Sequence, residues 1–335
     1  MFYNLLHPVM SSRYIILIAA AVAFLLTLIL LARPFSFLPR DGGKFVTDKD
    51  GNKIEINKNS NGKVTGVGLI MVIVFLVVSS LFFMPFGQIK HSIGAEFYAY
   101  VILMFIMMVT GYLDDSAKSP WGELIKGILD LIIAIAGAVV FVLNNPTSVY
   151  FFKLQFHIPV VLYVILAVAL IWGSVNVTNC SDGVDGLCGT VSVIEMIAYA
   201  CIFSKILGVY AGLAIVFSFV ITAYLKYNWT PSKVLMGDAG SRTIGFMLAL
   251  LAMKSRHPFV FIPMSFVFLF DGGLGLLKLA VLRVFKVNLF KDIRFPFHDH
   301  LKKNLKWSIP KIVIFFASME VVFAIITGVI VHVCG

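Results

Sequence analysis

The segment YIILIAAAVAFLLTLILLA, residues 14–32, decides the fold class of this chain. It carries no charged side chain, and about 20 apolar residues are the length at which a helix crosses the ~30 Å hydrocarbon core of a bilayer. Arg13 precedes it, as in a secretory signal, but the apolar run exceeds the roughly 7–15 residues of a signal core. The segment is therefore predicted to be a transmembrane helix.

Nine further apolar stretches follow. Of the 335 residues, 60% are hydrophobic and 13% are charged, whereas an average soluble domain has about 25% charged residues. The ten predicted spans cover residues 14–32, 67–86, 97–113, 121–142, 157–174, 187–204, 208–225, 240–254, 258–282 and 311–333. We therefore predict an all-α polytopic membrane protein with ten transmembrane helices, forming a single integral membrane domain over residues 1–335.

The basic residues give this arrangement an orientation. With ten spans, 18 Lys and Arg residues lie on odd-numbered loops and six on the opposite side. Because basic residues concentrate on cytoplasmic loops, the odd loops are predicted to be cytoplasmic and both termini extracytoplasmic. The net charge of +10 does not indicate nucleic-acid binding, since attraction to anionic lipid headgroups explains basic cytoplasmic loops.

Two cytoplasmic loops are long. In the first, residues 33–66, the alternation from Phe45 to Ile56 around Asp50-Gly51 suggests a short exposed hairpin with a primed turn. This segment fits a solvated connector as well as it fits a role in the site. The other, residues 283–310, carries a histidine motif. The four cysteines form no CxxC pair and have no His at zinc spacing, so they are predicted to be free thiols.

Carboxylates cluster where cytoplasmic loops meet the spans. The third span ends in GYLDDSAKSP, and if its helix continues, Asp114 and Lys118 share a face while Asp115 points elsewhere. In the fifth loop, NVTNCSDGVDGLCG, polar side chains alternate with glycines that let the backbone approach a ligand. The polar residues are Asn176, Asn179, Asp182 and Asp185, of which the two acids could face one way.

Two more motifs complete the set. In MGDAGSRTIG, residues 236–245, Gly237 and Asp238 open the eighth helix, where free amides favour an anion and a carboxylate can hold a divalent cation. FPFHDHLKK brings His298, Asp299 and His300 amid basic residues. Each motif alone has an ordinary interpretation as a cap, a turn or a surface segment. Their convergence from four odd loops indicates a cytoplasmic-face active site.

Such a site suits a diphosphate held by Mg²⁺. Magnesium takes one or two carboxylates and completes its shell with phosphate oxygens and water. Catalysis of phosphoryl transfer is mainly positioning and charge neutralisation. A lipid phosphate as acceptor would explain why the site lies at the edge of the bilayer.

At these residues the chain resembles the phospho-N-acetylmuramoyl-pentapeptide transferase family, within the polyprenyl-phosphate N-acetylhexosamine-1-phosphate transferase superfamily. The resemblance rests on LDDSAK, NVTNCSDGVDGL, MGDAGS and PFHDHLKKNLKWSIPKIV in this order. It implies that undecaprenyl phosphate attacks the β-phosphate of UDP-N-acetylmuramoyl-pentapeptide in the presence of Mg²⁺, giving lipid I and UMP. It also implies a homodimer in the bacterial cytoplasmic membrane.

The resemblance implies roles for individual residues. Asp238 would bind the metal, Asp114 and Asp115 would deprotonate or position the lipid phosphate, and Asp182 and His298 complete the catalytic group. The other matched positions would bind the nucleotide sugar: Thr65, Lys118, Lys126, Asn176, Asn179, Gly183, Val184, Asp185, Gly237 and His300.

The chain departs from the family pattern at three places. Asp299 stands where the family has the central histidine of a triple-histidine motif, and Leu235 stands where an aromatic residue is common. The first cytoplasmic loop has VTGVGL instead of a Thr-Pro-Thr-Met-Gly-Gly run. In the ninth span, Asp271 precedes several glycines, which suggests either a bent helix framing a lipid groove or close helix packing.

Two alternative functions compete with this interpretation. A transporter would also contain intramembrane acids, but its site is expected near the midplane between repeated halves. A UDP-N-acetylglucosamine-1-phosphate:undecaprenyl-phosphate transferase is the closer alternative. The run from Trp307 to Lys311 favours the muramoyl-pentapeptide family.

Overall fold

The computed structural model describes most of the chain. The described residues are 11–33, 36–41, 45–47, 53–55, 62–83, 91–117, 119, 121–151 and 153–334. The chain is predominantly helical, and each of the ten predicted spans contains a helix. The main helices are α1 Ser12–Leu31, α2 Gly68–Phe83, α3 His91–Asp115, α4 Glu123–Asn144, α5 Val160–Cys180, α6 Leu187–Ile202, α7 Val209–Asn228, α8 Gly237–Lys254, α9 Leu274–Phe285 and α10 Ile309–Cys334.

The membrane character follows from helix length and composition. Six helices are long and apolar enough to cross a bilayer, namely α1, α3, α4, α5, α7 and α10. A seventh candidate is formed if Pro258–Met264 and Phe266–Phe285, which meet at a 65° bend, count as one span. The apolar helices α2 and α6 are shorter. The chain is thus a helical protein with six to seven candidate spans.

Helix α8 lies at the centre of the molecule. Every residue from Ala239 to Met253 is buried, and the helix packs against α2, α3 and α5. A helix that is covered on all sides belongs to the core of a bundle. Gly237 and Asp238, at the N-terminus of α8, are therefore positioned by a buried helix.

Two small hairpins lie outside the bundle. Strand β1, Phe45–Thr47, pairs antiparallel with β2, Lys53–Glu55, which confirms the hairpin predicted in the first loop. Asp50-Gly51 lies outside the described residues, so the turn type stays a prediction. A second hairpin joins β3, Ser148–Phe151, to β4, Leu154–His157, between α4 and α5.

The ninth predicted span is interrupted. A short 3₁₀ segment, Pro258–Val260, precedes two short helices, Phe261–Met264 and Phe266–Phe268, and a π-helical segment, Leu269–Gly273, leads into α9. The π-helical segment contains Asp271, and π-bulges are frequent at functional sites. A Cβ at Gly272 would lie 2.7 Å from the carbonyl oxygen of Val177, so this glycine allows close helix packing, while the 65° bend lies between Met264 and Phe266.

The remaining connecting elements are short. Helix Ser204–Leu207 connects α6 to α7, and helix Phe297–Asp299 continues into a π-helical segment, His300–Asn304. Cys180, Cys188 and Cys201 are free thiols, as predicted. Of the acids inside predicted spans, Asp130 pairs with Arg242, and Glu195 accepts a hydrogen bond from the Ser265 hydroxyl.

Candidate active site

Asp115, the last residue of α3, caps the N-terminus of α8. Its carboxylate accepts hydrogen bonds from the backbone amides of Asp238 at 3.1 Å and Ala239 at 3.3 Å. Helix N-terminal amides attract anions. The sequence predicted that these amides would attract an anion, and in the structure that anion is the carboxylate of Asp115.

Glycines make this contact possible. Gly237 has a φ of +67°, and a Cβ there would lie 2.2 Å from Oδ2 of Asp115. A Cβ at Gly68 would lie 2.1 Å from the amide nitrogen of Gly240, and one at Gly111 would lie 2.5 Å from that of Ala239. Helices α2 and α3 thus touch the first turn of α8 through their main chains.

Lys126 of α4 joins two acids of the site. Its ammonium pairs with Asp114 and lies 3.0 Å from Oδ2 of Asp238. Asp114 also accepts a hydrogen bond from the Trp121 amide at 2.6 Å. The sequence instead placed Asp114 beside Lys118 on a continuing helix, but α3 ends at Asp115, and Lys118 lies outside the described residues. Lys126 is therefore the observed basic partner of Asp114.

The predicted fifth loop is shorter than expected, because α5 continues to Cys180. Asn176 and Asn179 consequently lie on the helix. The side-chain amide of Asn176 donates to the Trp172 carbonyl at 2.8 Å. The backbone carbonyl of Asn179 accepts from the backbone amide of Asp182 at 3.2 Å.

Asp182 follows α5 and faces the other carboxylates. Burial raises the pKa of Asp182 well above its usual value, and the nearby charges of Asp115 and Asp238 raise this pKa further. Desolvation and like charges both disfavour an ionised carboxylate. Asp182 thus belongs to the same electrostatic cluster as the carboxylates at the start of α8.

Asp185 faces different neighbours from Asp182. Its carboxylate accepts from the Ser232 amide at 3.1 Å and lies 3.5 Å from the Lys63 ammonium. It therefore ties the glycine loop to the first loop and to the segment before α8. Val184 is buried in the hydrophobic core, and its carbonyl accepts from the Leu187 amide at 3.1 Å.

His298 is held by Asp271, which lies in the π-helical segment of the ninth span. Asp271 Oδ1 accepts from the His298 amide at 2.7 Å, and Oδ2 lies 2.8 Å from Nδ1 of the ring. A Cβ at Gly183 would lie 2.4 Å from Nε2. One ring nitrogen thus faces the supporting carboxylate and the other faces the glycine loop.

The residues after His298 have separate contacts. The His300 ring stacks on Phe297 with centroids 5.8 Å apart, and its Nδ1 accepts from the Arg294 amide at 3.4 Å. Asp299 pairs with Lys303 at 2.6 Å. The central position of this motif is therefore occupied by a carboxylate with its own lysine.

Thr65 lies at the edge of the site. Its amide donates to the carbonyl of Pro39 at 2.9 Å, and the adjoining Val64 carbonyl accepts from the Leu235 amide at 2.8 Å. A Cβ at Gly66 would lie 3.5 Å from Oδ2 of Asp115. The first loop is thus joined through its backbone to the start of α8.

A cavity of about 510 Å³ opens beside the histidine motif. It lies between the glycines of the bent span and the loop before His298. Three basic side chains line it, Lys278, Lys291 and Arg294. The glycines of this span and α9 therefore line a groove with positive charge.

Comparison with known proteins identifies the family. The model of glycosyl transferase family 4 matches residues 97–256. Proteins named phospho-N-acetylmuramoyl-pentapeptide-transferase are similar over nearly the whole chain. The one from Treponema pallidum (strain Nichols) is 34% identical over 325 residues, covering 90% of this chain and 85% of the relative. The chain belongs to the phospho-N-acetylmuramoyl-pentapeptide transferase family.

Other members show the same extent of similarity. The relative from Aquifex aeolicus (strain VF5) is 31% identical and covers 92% of this chain and 90% of its own length. The relative from Streptococcus agalactiae serotype III (strain NEM316) is 26% identical, with 95% and 99% covered. All four sequence motifs therefore lie within a resemblance that extends along almost the entire chain.

The transferase family's metal can be tested against the donor set. Within the described residues, no group of three or more His, Cys, Asp and Glu side chains could hold a metal alone. Magnesium in phosphate sites uses one or two carboxylates and takes its other ligands from phosphates and water. The adjacent carboxylates of Asp115 and Asp238 fit that requirement, because both are oxygen donors at the start of one helix.

Two parts of this transferase site were not assigned from sequence. Asp271 was predicted as a functional-site candidate inside a span, but its two contacts with His298 were not predicted. The pairing of Lys126 with both Asp114 and Asp238 was also missed. The available signal was the position of Lys126 near the start of a span, where a lysine is costly unless it is paired.

Proposed function

We propose that this chain transfers phospho-N-acetylmuramoyl-pentapeptide from its UDP-linked donor to undecaprenyl phosphate, giving lipid I and UMP in the first membrane step of peptidoglycan synthesis. The observation that carries the proposal is the meeting of Asp115, Asp238 and Lys126 at the N-terminus of α8. Family membership supplies the substrates. A transporter is disfavoured because the acids of the sequence motifs and the histidine motif lie at or beside the ends of the long helices, away from the middle of the spans.

The proposed topology has ten spans in the bacterial cytoplasmic membrane, with both termini extracytoplasmic and the active site facing the cytoplasm. The excess of basic residues on the odd-numbered loops supports this orientation. The site residues also lie in those odd-numbered loops or at the helix ends that the loops join. We further propose a homodimer, in line with the family resemblance.

The metal is proposed to bind at Asp238, with Asp115 beside it. When bound, Mg²⁺ neutralises charge on the donor diphosphate and so makes the phosphorus more open to attack. Lys126 is positioned to contact donor phosphates after exchanging its present carboxylate partners. Asp114 and Asp115 are proposed to position or deprotonate the lipid phosphate.

The nucleotide sugar is proposed to lie between the glycine loop and the first loop. Asn179 and Asp182 would contact the ribose and phosphate region, and the backbone of residues 183–185 would contact uracil. His298 and His300 would orient the donor, and Thr65 would line the nucleoside pocket. Asn176, Gly237 and Lys118 complete the proposed binding set.

A substrate comparison tests the reaction. Purified protein is mixed with undecaprenyl phosphate and Mg²⁺, then supplied separately with UDP-N-acetylmuramoyl-pentapeptide and UDP-N-acetylglucosamine. We expect UMP release with the muramoyl-pentapeptide donor. Release with UDP-N-acetylglucosamine alone would instead assign the chain to N-acetylglucosamine-1-phosphate transfer.

Gly183→Ala tests the contact between the glycine loop and the histidine motif. The new Cβ would lie 2.4 Å from Nε2 of His298, whose ring is held by Asp271. We expect UMP release to fall by roughly tenfold or more, because small misplacements of positioning groups lower rates strongly. Gly173→Ala is the matched control, since nothing lies within 4 Å of its added Cβ. Equal rates for both variants would remove this contact from the mechanism.

A further inference from the structure

Two ion pairs of opposite polarity connect α4 to α8. Lys126 of α4 lies 3.0 Å from Asp238 of α8. One helical turn deeper, Asp130 of α4 pairs with Arg242 of α8. On each helix the two charged residues are four positions apart and therefore share a face.

The deeper pair is enclosed. Arg242 is 1% exposed and Asp130 is 3% exposed. Arg242 donates from Nε to Oδ1 of Asp130 at 3.0 Å and also from Nη2 to the same oxygen. Within the described part of the chain, Nη1 of Arg242 has no hydrogen-bond partner. The guanidinium is thus held on one side by a single carboxylate and retains an unused donor.

The sequence spacing gives Arg242 a second possible ion-pair partner. An acid followed four residues later by a base is the favoured orientation for an ion pair within a helix, and Asp238 and Arg242 have this spacing. Asp238 is also the carboxylate proposed to bind Mg²⁺. An arginine paired with that carboxylate would compete with the metal for its oxygens.

We propose that Asp130 is a positioning residue that holds the Arg242 guanidinium away from Asp238, so that Asp238 stays available to a divalent cation. This inference rests on the proposed function. Asp130 acts through Arg242 and touches neither substrate nor metal. Its loss is therefore expected to weaken metal binding only while Arg242 is present.

Metal binding can be measured without turnover. Mn²⁺ is titrated into purified protein with UDP-N-acetylmuramoyl-pentapeptide present and lipid acceptor absent, and free Mn²⁺ is followed by electron paramagnetic resonance. We expect Asp130→Asn to weaken Mn²⁺ binding about tenfold, which corresponds to about 1.4 kcal/mol. The double variant Asp130→Asn/Arg242→Met is expected to regain binding within about twofold of the wild type. Glu123→Gln, an exposed position on the same helix, is the matched control.

The outcomes separate the two proposals. Wild-type affinity in Asp130→Asn, or equally weak binding in the single and double variants, would overturn the role of Asp130 and leave the proposed function standing. Absence of Mn²⁺ binding in the wild type would overturn both.

Asp130→Asn leaves Arg242 as an unpaired buried charge, which destabilises a protein strongly. If this variant folds poorly, a second comparison tests the proposal. Adding Asp130→Asn to an Arg242→Met protein is expected to leave Mn²⁺ affinity unchanged. A further loss in that background would show that Asp130 acts directly and would overturn the proposal.

Discussion

Asp115→Asn is expected to lower the rate of UMP release by roughly 10³-fold while the purified protein stays folded. General acid–base groups contribute about 10²–10⁴-fold, and this substitution removes the charge of a carboxylate at the centre of the site. Asn keeps an acceptor oxygen for the Asp238 amide and loses the acceptor for the Ala239 amide. The substitution also removes a negative charge beside Asp238, which offsets part of that loss for the fold.

Two measurements accompany this variant. Circular dichroism and elution from a sizing column in detergent should match the wild type. Glu123→Gln is the matched carboxylate control, because Glu123 and Arg283 are largely exposed and such surface pairs contribute little to stability. Turnover near the wild-type rate in Asp115→Asn would remove Asp115 from the mechanism.

Removal of Mg²⁺ is expected to stop the reaction reversibly. The donor carries a negatively charged diphosphate, and Asp238 and Asp115 offer only carboxylates. Among the described contacts at the start of α8, Lys126 is the one positively charged side chain. Excess EDTA should abolish UMP release, and added Mg²⁺ should restore it. Asp238→Asn should abolish release as well.

The control for this experiment is EDTA saturated with Mg²⁺ beforehand, which should leave the rate unchanged. Undiminished activity in excess free chelator would rule out the metal role. Wild-type activity of Asp238→Asn at limiting Mg²⁺ would assign the metal to other residues.

The sequence predicted the helical elements and the grouping of the motifs. Apolar stretches located all ten main helices, of which six, or seven with the bent pair, are long and apolar enough to cross a bilayer. The motif order placed Asp115 near Asp238, and their direct contact confirms that these stretches meet. The close approach of Gly183 to His298 shows that the glycine loop and the histidine motif also meet.

The sequence did not predict the partner of each side chain. Lys126 lies 12 residues after Asp114 in the sequence, and only the packing of α4 against α3 brings their charges together. Likewise, the role of Asp271 depends on the tertiary packing that brings the π-helical segment beside His298. Such contacts follow from tertiary packing, and local spacing carries no signal for them.

The glycine contacts of α2 and α3 with the first turn of α8 restrict where the protein can adjust to its substrates. At Gly68 and Gly111 main chain meets main chain, so no side chain there can change rotamer to absorb a shift. The start of α8 cannot slide or rotate without moving both neighbours. Adjustment on donor entry must therefore come from the surrounding loops, while the carboxylates at the helix start keep one fixed position.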